Sequence, residues 1–498
     1  MLHAKSKQPH LVRAPPYFLV SLVNYNLIAH LRLWVIPHYN HPMSPRLKLR
    51  LVIIGGGLLV LAILGLTGLA WSQTPRLVET FPAHQAVDVP ASAPLRIEFS
   101  TSMNTESVAT RLTTDPARPG TLTWEGYTLV FTPSQPWPSG AQVTVRLAAG
   151  ARAQTALSFG LAAQSWAFNT AETLLAYLWP ASGPADLYAL DLLAGDTRRL
   201  TTDADILDYT FSADGLVVYY SSRNEQGGAD LYLLERLGGQ APQRLLICGQ
   251  NACRSPAASP DGRLLAYESV PQVNARSQLV QVWLIDLDAG SAAPLGNTTH
   301  ESMLPVWSAT GKLAYYDQTS LAYILYDPQT QSSLRLPNQT GQGGSWSPDG
   351  RYFVAAEISY ITLESQLEME LSRLLRYDTT TGAAVDLTGS IDLEDVAPLF
   401  SPDGTWIAFG RRYLDAARWT LGRPLWIMSP DGSNARPVTN DRLLVDHDYA
   451  WSLDGQQLAF VRFDQAAPTS PPALWLARID GTELRELVIG GYAPLWLP

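Results

Sequence analysis

Along most of this chain apolar residues come in short runs broken by tight polar turns, and one stretch departs from that rhythm. Leu51–Trp71 is about 21 residues without a charge, long enough to cross a bilayer as a single helix. After it the pattern has a period of two. Leu95-Arg-Ile-Glu-Phe99 alternates apolar and polar, as do Gly120–Trp124, Thr128–Phe131 and Gln142–Leu147, with turns at Glu125-Gly126 and Pro138-Ser-Gly140. Short alternating strands so spaced predict a small β-sandwich over residues 76–170.

From residue 171 to 498 one phrase recurs six times: an apolar run, Ser-x-(Asp/Thr)-Gly, then another apolar run. Its glycines are Gly215, Gly262, Gly311, Gly350, Gly404 and Gly455, spaced 47, 49, 39, 54 and 51 residues apart. That period suits one four-stranded propeller blade per repeat. The run before the serine, as in Val306-Trp307 or Tyr449-Ala-Trp451, predicts an innermost strand. Pro presets φ, Asp bonds to nearby backbone and Gly takes the left-handed position, so the tetrapeptide predicts a tight turn. Second strands follow (Leu264–Tyr267, Phe353–Ala356, Ile407–Phe409, Leu458–Phe460), then third strands such as Val282–Ile285 and Leu474–Ala477. A seventh unit starts directly at its second strand, Thr173–Leu178, and Tyr492-Ala-Pro-Leu-Trp496 repeats the inner-strand pattern at the end of the chain. If that tail closes the first unit, no blade edge stays open. The expected fold is all-β: an Ig-like sandwich, then a seven-bladed propeller with six blades as the alternative, preceded by one transmembrane helix.

The repeat phrase resembles the TolB-type propeller repeat, which also occurs in the propeller half of the prolyl oligopeptidases. The order Phe99-Ser-Thr-Ser-Met103, Trp124-Glu-Gly-Tyr-Thr-Leu-Val-Phe-Thr-Pro133 and Trp166-Ala-Phe-Asn-Thr170 resembles the bacterial Ig-like domain of surface-layer and other exported proteins. The first resemblance implies a propeller scaffold, and the second a spacer or adhesion module without chemistry.

Charge gives the chain a direction. Residues 1–50 hold seven Lys or Arg and no acid, while the other 448 hold 28 basic and 45 acidic side chains, a net −17. Arg46, Lys48 and Arg50 precede the apolar stretch, so the positive-inside rule leaves a basic cytoplasmic segment and exports the rest. The expected location is the cell membrane, single-pass, with the C-terminal domains extracytoplasmic. Gly68-Leu69-Ala70 would also suit a cleaved signal. Met43 followed by Ser-Pro-Arg-Leu-Lys-Leu-Arg50 reads as an export start by itself, which makes residues 1–42 a candidate mis-called start. An acidic body argues against nucleic acid as a partner. Cys248 and Cys253, five residues apart outside the cytoplasm, suggest a loop-stapling disulfide, with free thiols as the alternative.

Candidate chemistry is sparse. After residue 72 only His84, His300 and His447 occur, with no Gly-x-Ser-x-Gly elbow, and the tail is taken up by propeller closure. The turn aspartates have a structural role that suffices. Loops leading into the inner strands carry Asp208, Glu301, Glu394, Asp395, Asp446 and Asp448. Such carboxylates at a channel mouth could hold a cation or a basic peptide, so Asp208, Glu301, Asp395, Asp446 and Asp448 are the metal candidates. No cofactor is expected, a divalent cation being the one candidate. Four long loops, Val270–Gln278, Glu357–Glu368, Arg411–Arg423 and Asp464–Pro472, share that end, and Tyr360, Arg411, Arg412, Tyr413, Arg418 and Trp419 are of interface type. Glu364–Leu375 fits a strand or a helix equally. The expected function is a membrane-anchored, non-enzymatic binding protein for a protein or cell-envelope ligand. The alternatives are a propeller enzyme, a metal-assisted lyase or glycan hydrolase at the acidic mouth, and a structural envelope component.

Overall fold

The computed structural model describes residues 45–497 apart from 73, 156–158, 172–173, 203, 238, 272–278, 363–367 and 416. The expectations for residues 1–42 lie outside the described residues. The apolar stretch falls within one helix, Pro45–Ser72, of 28 residues. Its side chains over Ile53–Gly65 are all exposed. Among the described residues no helix is long and apolar enough to cross a membrane.

The body, Gln73–Pro498, forms its own compact unit. It opens with two sheets: Leu77–Phe81, Leu95–Phe99, Gly120–Glu125 and Thr128–Pro133 in one, Leu112–Asp115, Gln142–Leu147 and Gln164–Asn169 in the other. The alternation sorts the faces, with Leu95, Ile97, Phe99, Val143, Val145 and Leu147 buried together around Trp137, whose Nε1 donates to the Ala93 carbonyl at 2.9 Å.

Beyond it the described strands pair into seven four-stranded sheets, the second and third meeting at a single pair, Ala229 with Ala252. The first combines Leu174–Trp179, Asp186–Asp191 and Thr197–Arg199 with the tail strand Tyr492–Trp496. The register sets Trp496 opposite Leu175 and Tyr492 opposite Leu178. That tail also reaches both neighbours: Trp496 Nε1 donates to the Ala450 carbonyl at 3.0 Å and the Ala493 carbonyl accepts from Tyr209 Oη at 2.7 Å.

The same tryptophan device recurs. Trp307, Trp346 and Trp451, each the last residue of an inner strand, donate to the Ala257, Val306 and Leu399 carbonyls of the preceding sheet, at 2.9, 3.0 and 3.1 Å. The turns follow the sequence chemistry. Ser401 Oγ donates to Asp403 Oδ1 at 2.6 Å and accepts from Trp406 N at 3.0 Å, while Gly404 sits at φ +71°.

Two elements differ from expectation. Glu357–Glu368 is no loop throughout: the second strand of the fifth sheet runs Tyr352–Thr362 and its partner Glu368–Asp378, paired from Tyr352–Asp378 out to Thr362–Glu368. The ambiguous segment is therefore strand from Glu368 onward, because Ile358 and Ile361 extend the β-branched pattern past the neighbouring second strands. In the sixth sheet the second strand likewise extends to Tyr413 before its loop begins. Most of the Val270–Gln278 loop lies outside the described residues.

Candidate functional site

Six of the seven inner strands begin at one end of their sheet and finish in the Ser-x-(Asp/Thr)-Gly turn at the other, so the propeller has a turn face and a loop face. The turn face meets the sandwich. A cavity of about 940 Å³ lies between Arg118 and Trp137 of the sandwich and Asp403, Asp454 and Leu497 of the propeller. Arg198 Nη1 of the propeller and Asp88 Oδ2 of the sandwich pair at 3.5 Å, both well exposed. On the loop face Leu207, Arg223, Arg254 and Tyr492 line a cavity of about 540 Å³ with Asp205.

The candidate acids do not converge, and the repeat explains why. Counted back from the turn serine, Asp208 and Asp448 lie four residues away, Asp395 and Asp446 six, Glu301 and Glu394 seven. Three phases on a bulged strand point three ways. Asp208 Oδ2 accepts from Arg254 Nε at 3.0 Å and Ser255 N at 3.3 Å. Asp448 occupies a left-handed bulge (φ 50°), exposed, with His447 Nδ1 at 3.2 Å. Glu301 is half-buried, and its backbone N donates to Thr319 Oγ1 at 2.9 Å. Among the described residues no three His, Cys, Asp or Glu side chains are grouped to hold a metal ion.

Asp395 and Asp446 are buried, and each faces an arginine directly across the strand pair. Arg411 gives Asp395 two bonds of 2.7 Å, and Arg462 gives Asp446 bonds of 2.6 and 3.0 Å. Such bidentate pairs hold both carboxylates as acceptors. The guanidiniums also lie over rings, Arg411 4.9 Å from Phe409 and 5.1 Å from Trp426, Arg462 5.3 Å from Phe460 and 4.7 Å from Trp475. Thr439 Oγ1 completes the Asp446 shell at 2.5 Å. Tyr449 donates to the Asp446 carbonyl at 2.7 Å. Burial drives its phenol well above the ordinary range, so it stays a donor.

Glu394, one residue before Asp395, meets two more arginines. Arg412 Nη2 donates to its Oε2, and Arg423 Nη2 lies 3.1 Å from the same oxygen. Arg423 reaches it because the loop before it locks onto the seventh sheet: Gly422 N donates to the Arg442 carbonyl at 2.7 Å and Arg423 N to the Leu444 carbonyl at 2.9 Å. A Cβ on Gly422 would come within 2.1 Å of the Leu444 backbone oxygen, whereas one on Gly410 would meet only side-chain atoms, Tyr449 Oη at 2.8 Å and Arg423 Cδ at 3.0 Å. Glycine at 422 is a steric requirement, because the clash there is with backbone.

The remaining features are dispersed. Cys248 and Cys253 are disulfide-bonded at the junction of the second and third sheets. His300 Nδ1 lies 2.8 Å from Asp317 Oδ2, and His84 Nδ1 accepts from Ala167 N at 3.2 Å in the sandwich. Tyr360 and Trp419 are exposed at 56% and 53%, while Arg418 pairs with Asp415 at 2.7 Å and stacks on Tyr413 at 4.5 Å. Sequence reading missed Arg423, Arg462 and Glu268, a largely buried carboxyl pushed up by burial whose Oε1 accepts from Leu304 N at 2.7 Å. The signal for Arg462 was present: Arg411 and Arg462 each stand ten residues after a turn serine.

Residues 72–170 match the model of the bacterial Ig-like domain. The "Uncharacterized peptidase YuxL" of Bacillus subtilis (strain 168) is 23% identical over 237 residues, 46% of this chain and 33% of that protein, so the match spans about a third of the relative's length. TolB from Acinetobacter baumannii aligns at 16% identity and a TM-score of 0.41 over 66% of this chain and 67% of its own. An oligogalacturonate lyase from Vibrio parahaemolyticus aligns at 15% and 0.39 over 57% and 74%. The chain thus carries a bacterial Ig-like domain match at 72–170, and its mostly β body is similar to TolB, to a peptidase and to a lyase.

Proposed function

We propose that this is a membrane-anchored, extracytoplasmic binding protein, non-enzymatic, whose seven blades form one closed ring that offers its loop face to a protein or cell-envelope ligand. One observation carries the reading: the sandwich shares a cavity with the turn face, while the loop face is left with Tyr360 and Trp419 more than half exposed on its long hairpin and loop. Exposed aromatics on a rigid scaffold are the usual anchors of an interface. The anchor itself rests on the uncharged Leu51–Trp71 stretch behind Arg46, Lys48 and Arg50. The alternative, an enzyme at the acidic mouth, draws support from relatives named as a peptidase and a lyase. Against it stand Asp395 and Asp446, each already neutralised by a buried arginine.

A photo-crosslinking amino acid at position 419, with position 193 on the turn side as control, tests the reading in cells producing the full chain. Adducts of one defined size at 419 and none at 193 are expected. Adducts at 193 alone, or at neither position, would overturn it.

A further inference from the structure

The cluster around Glu394 holds more positive charge and more donors than its own acids can use. Arg411 and Arg462 are consumed by Asp395 and Asp446 through paired bonds. Arg412 and Arg423 then share a single carboxylate oxygen, so one guanidinium is in excess. Both retain a buried Nε with no protein partner, and Thr420 Oγ1, in the loop between them, is a third buried donor without one. Thr420 is 4% exposed. A buried donor left unmade costs about 1–3 kcal/mol, so a segment that holds three has reason to meet an acceptor.

The pieces are also accessible and fixed in place. The side chains of Arg412 and Arg423 are 32% and 26% exposed, against 7% for Arg411. Gly422, packed against the Leu444 backbone, fixes the chain immediately before Arg423. Two guanidiniums converging on one oxygen make a geometry that matches carboxylate or phosphate.

We propose that Arg412 and Arg423 form an oxyanion-binding site on the loop face, in which Glu394 occupies the place of an external carboxylate or phosphate group. The inference rests on the binding reading above, since it names the chemistry that a ligand of that face would present. Glu394 acts as an internal competitor: an arriving anion displaces its carboxylate from Oε2 contact and takes both arginines, with no covalent change.

Thermal-shift titration of the full chain with sodium phosphate and, separately, sodium acetate, at constant ionic strength set with chloride, reads the site. Wild type should show saturable stabilisation by at least one anion, and phosphate against acetate distinguishes the two sources of the group. Glu394→Gln removes the competitor and should tighten that midpoint about fivefold to tenfold. Arg412→Gln and Arg423→Gln should each abolish saturation, and Arg412→Lys, which keeps charge and solubility but loses the fork, should weaken it. Stabilisation that never saturates, or a midpoint unmoved in Glu394→Gln and in Arg412→Lys alike, would overturn the proposal, ordered water then being what satisfies the donors. Crosslinking at position 419 is read independently: adducts with no anion effect sink this site and leave the binding role, whereas an anion effect without adducts does the reverse.

Discussion

The third and the seventh sheets solve the same packing problem with opposite chemistry. Both follow the same turn, with Ser259 and Ser452 each bonded to its aspartate at 2.6 Å. Six residues before the serine stands Cys253 in one and Asp446 in the other, and ten after it Ser269 or Arg462. In the third sheet the inner strand is tied to the preceding blade by the Cys248–Cys253 disulfide, and Tyr267 packs near Trp283, ring centroids 6.4 Å apart. In the seventh, the Arg462 guanidinium fills the space between Phe460 and Trp475 and ties the inner strand through Asp446. The sixth sheet repeats the ionic solution with Asp395 and Arg411. The repeat thus prescribes the turn and the strand order, and leaves each blade free to lock its inner strand covalently or ionically.

The sharpest break of this comparison comes from removing one ionic partner. Arg411→Ala strands a buried carboxylate, and such losses cost about 3–5 kcal/mol, whereas replacing both partners by apolar residues of similar volume is often neutral or better. In urea unfolding, Arg411→Ala should lose that amount and Asp395→Leu/Arg411→Met should recover most of it. A double variant as unstable as the single one would mean the charge pair is needed for more than filling the site. On the covalent side, Cys248→Ser/Cys253→Ser opens a six-residue loop, for which chain entropy gives about 2 kcal/mol, measured by the same unfolding midpoint. A loss as large as that of Arg411→Ala would show that the disulfide does more than restrain the unfolded chain.

The difference between the two solutions was only partly legible in the sequence. Turn chemistry is local, so Ser-x-Asp-Gly declares itself within four residues, and the tail strand Tyr492–Trp496 could be matched to the first unit because its pattern copies Tyr449–Trp451. The acids were visible too, but their orientation was not. Register shifts between Val396 and Leu399 and between His447 and Ala450 change which face each later residue presents, and no residue type announces a bulge whose left-handed position is held by Ala397 or Asp448. Arg423 was illegible for another reason: its partner Glu394 lies across a long loop whose path is set by contacts with Arg442 and Leu444 of the next sheet. Counting from the turn serine, rather than reading each acid alone, would have paired Asp395 with Arg411 and Asp446 with Arg462.

The smallest effect expected is also the control for the comparison. Ser259→Ala and Ser401→Ala delete the same hydroxyl in the covalent and the ionic regions. Each removes a donor to the turn aspartate and an acceptor for a backbone N–H, of Leu264 at 2.9 Å or Trp406 at 3.0 Å, so each should cost about 1 kcal/mol. Burial alone would push the Asp403 carboxyl up, but hydrogen bonds from Ser401 and Thr405 outweigh it and hold the group below its ordinary 3.8. A carboxyl depressed in the folded state stabilises fully above that ordinary value and stops doing so as pH falls through its folded value. The cost of Ser401→Ala should therefore be constant from pH 7 to about 5 and shrink below about 3.8, where the protonated aspartate no longer needs the serine donor, leaving the backbone contribution alone. Equal costs at pH 7 would confine the contrast between the regions to the inner-strand locks. A Ser401→Ala loss well above that of Ser259→Ala would instead tie the turn of the ionic region to its buried pair.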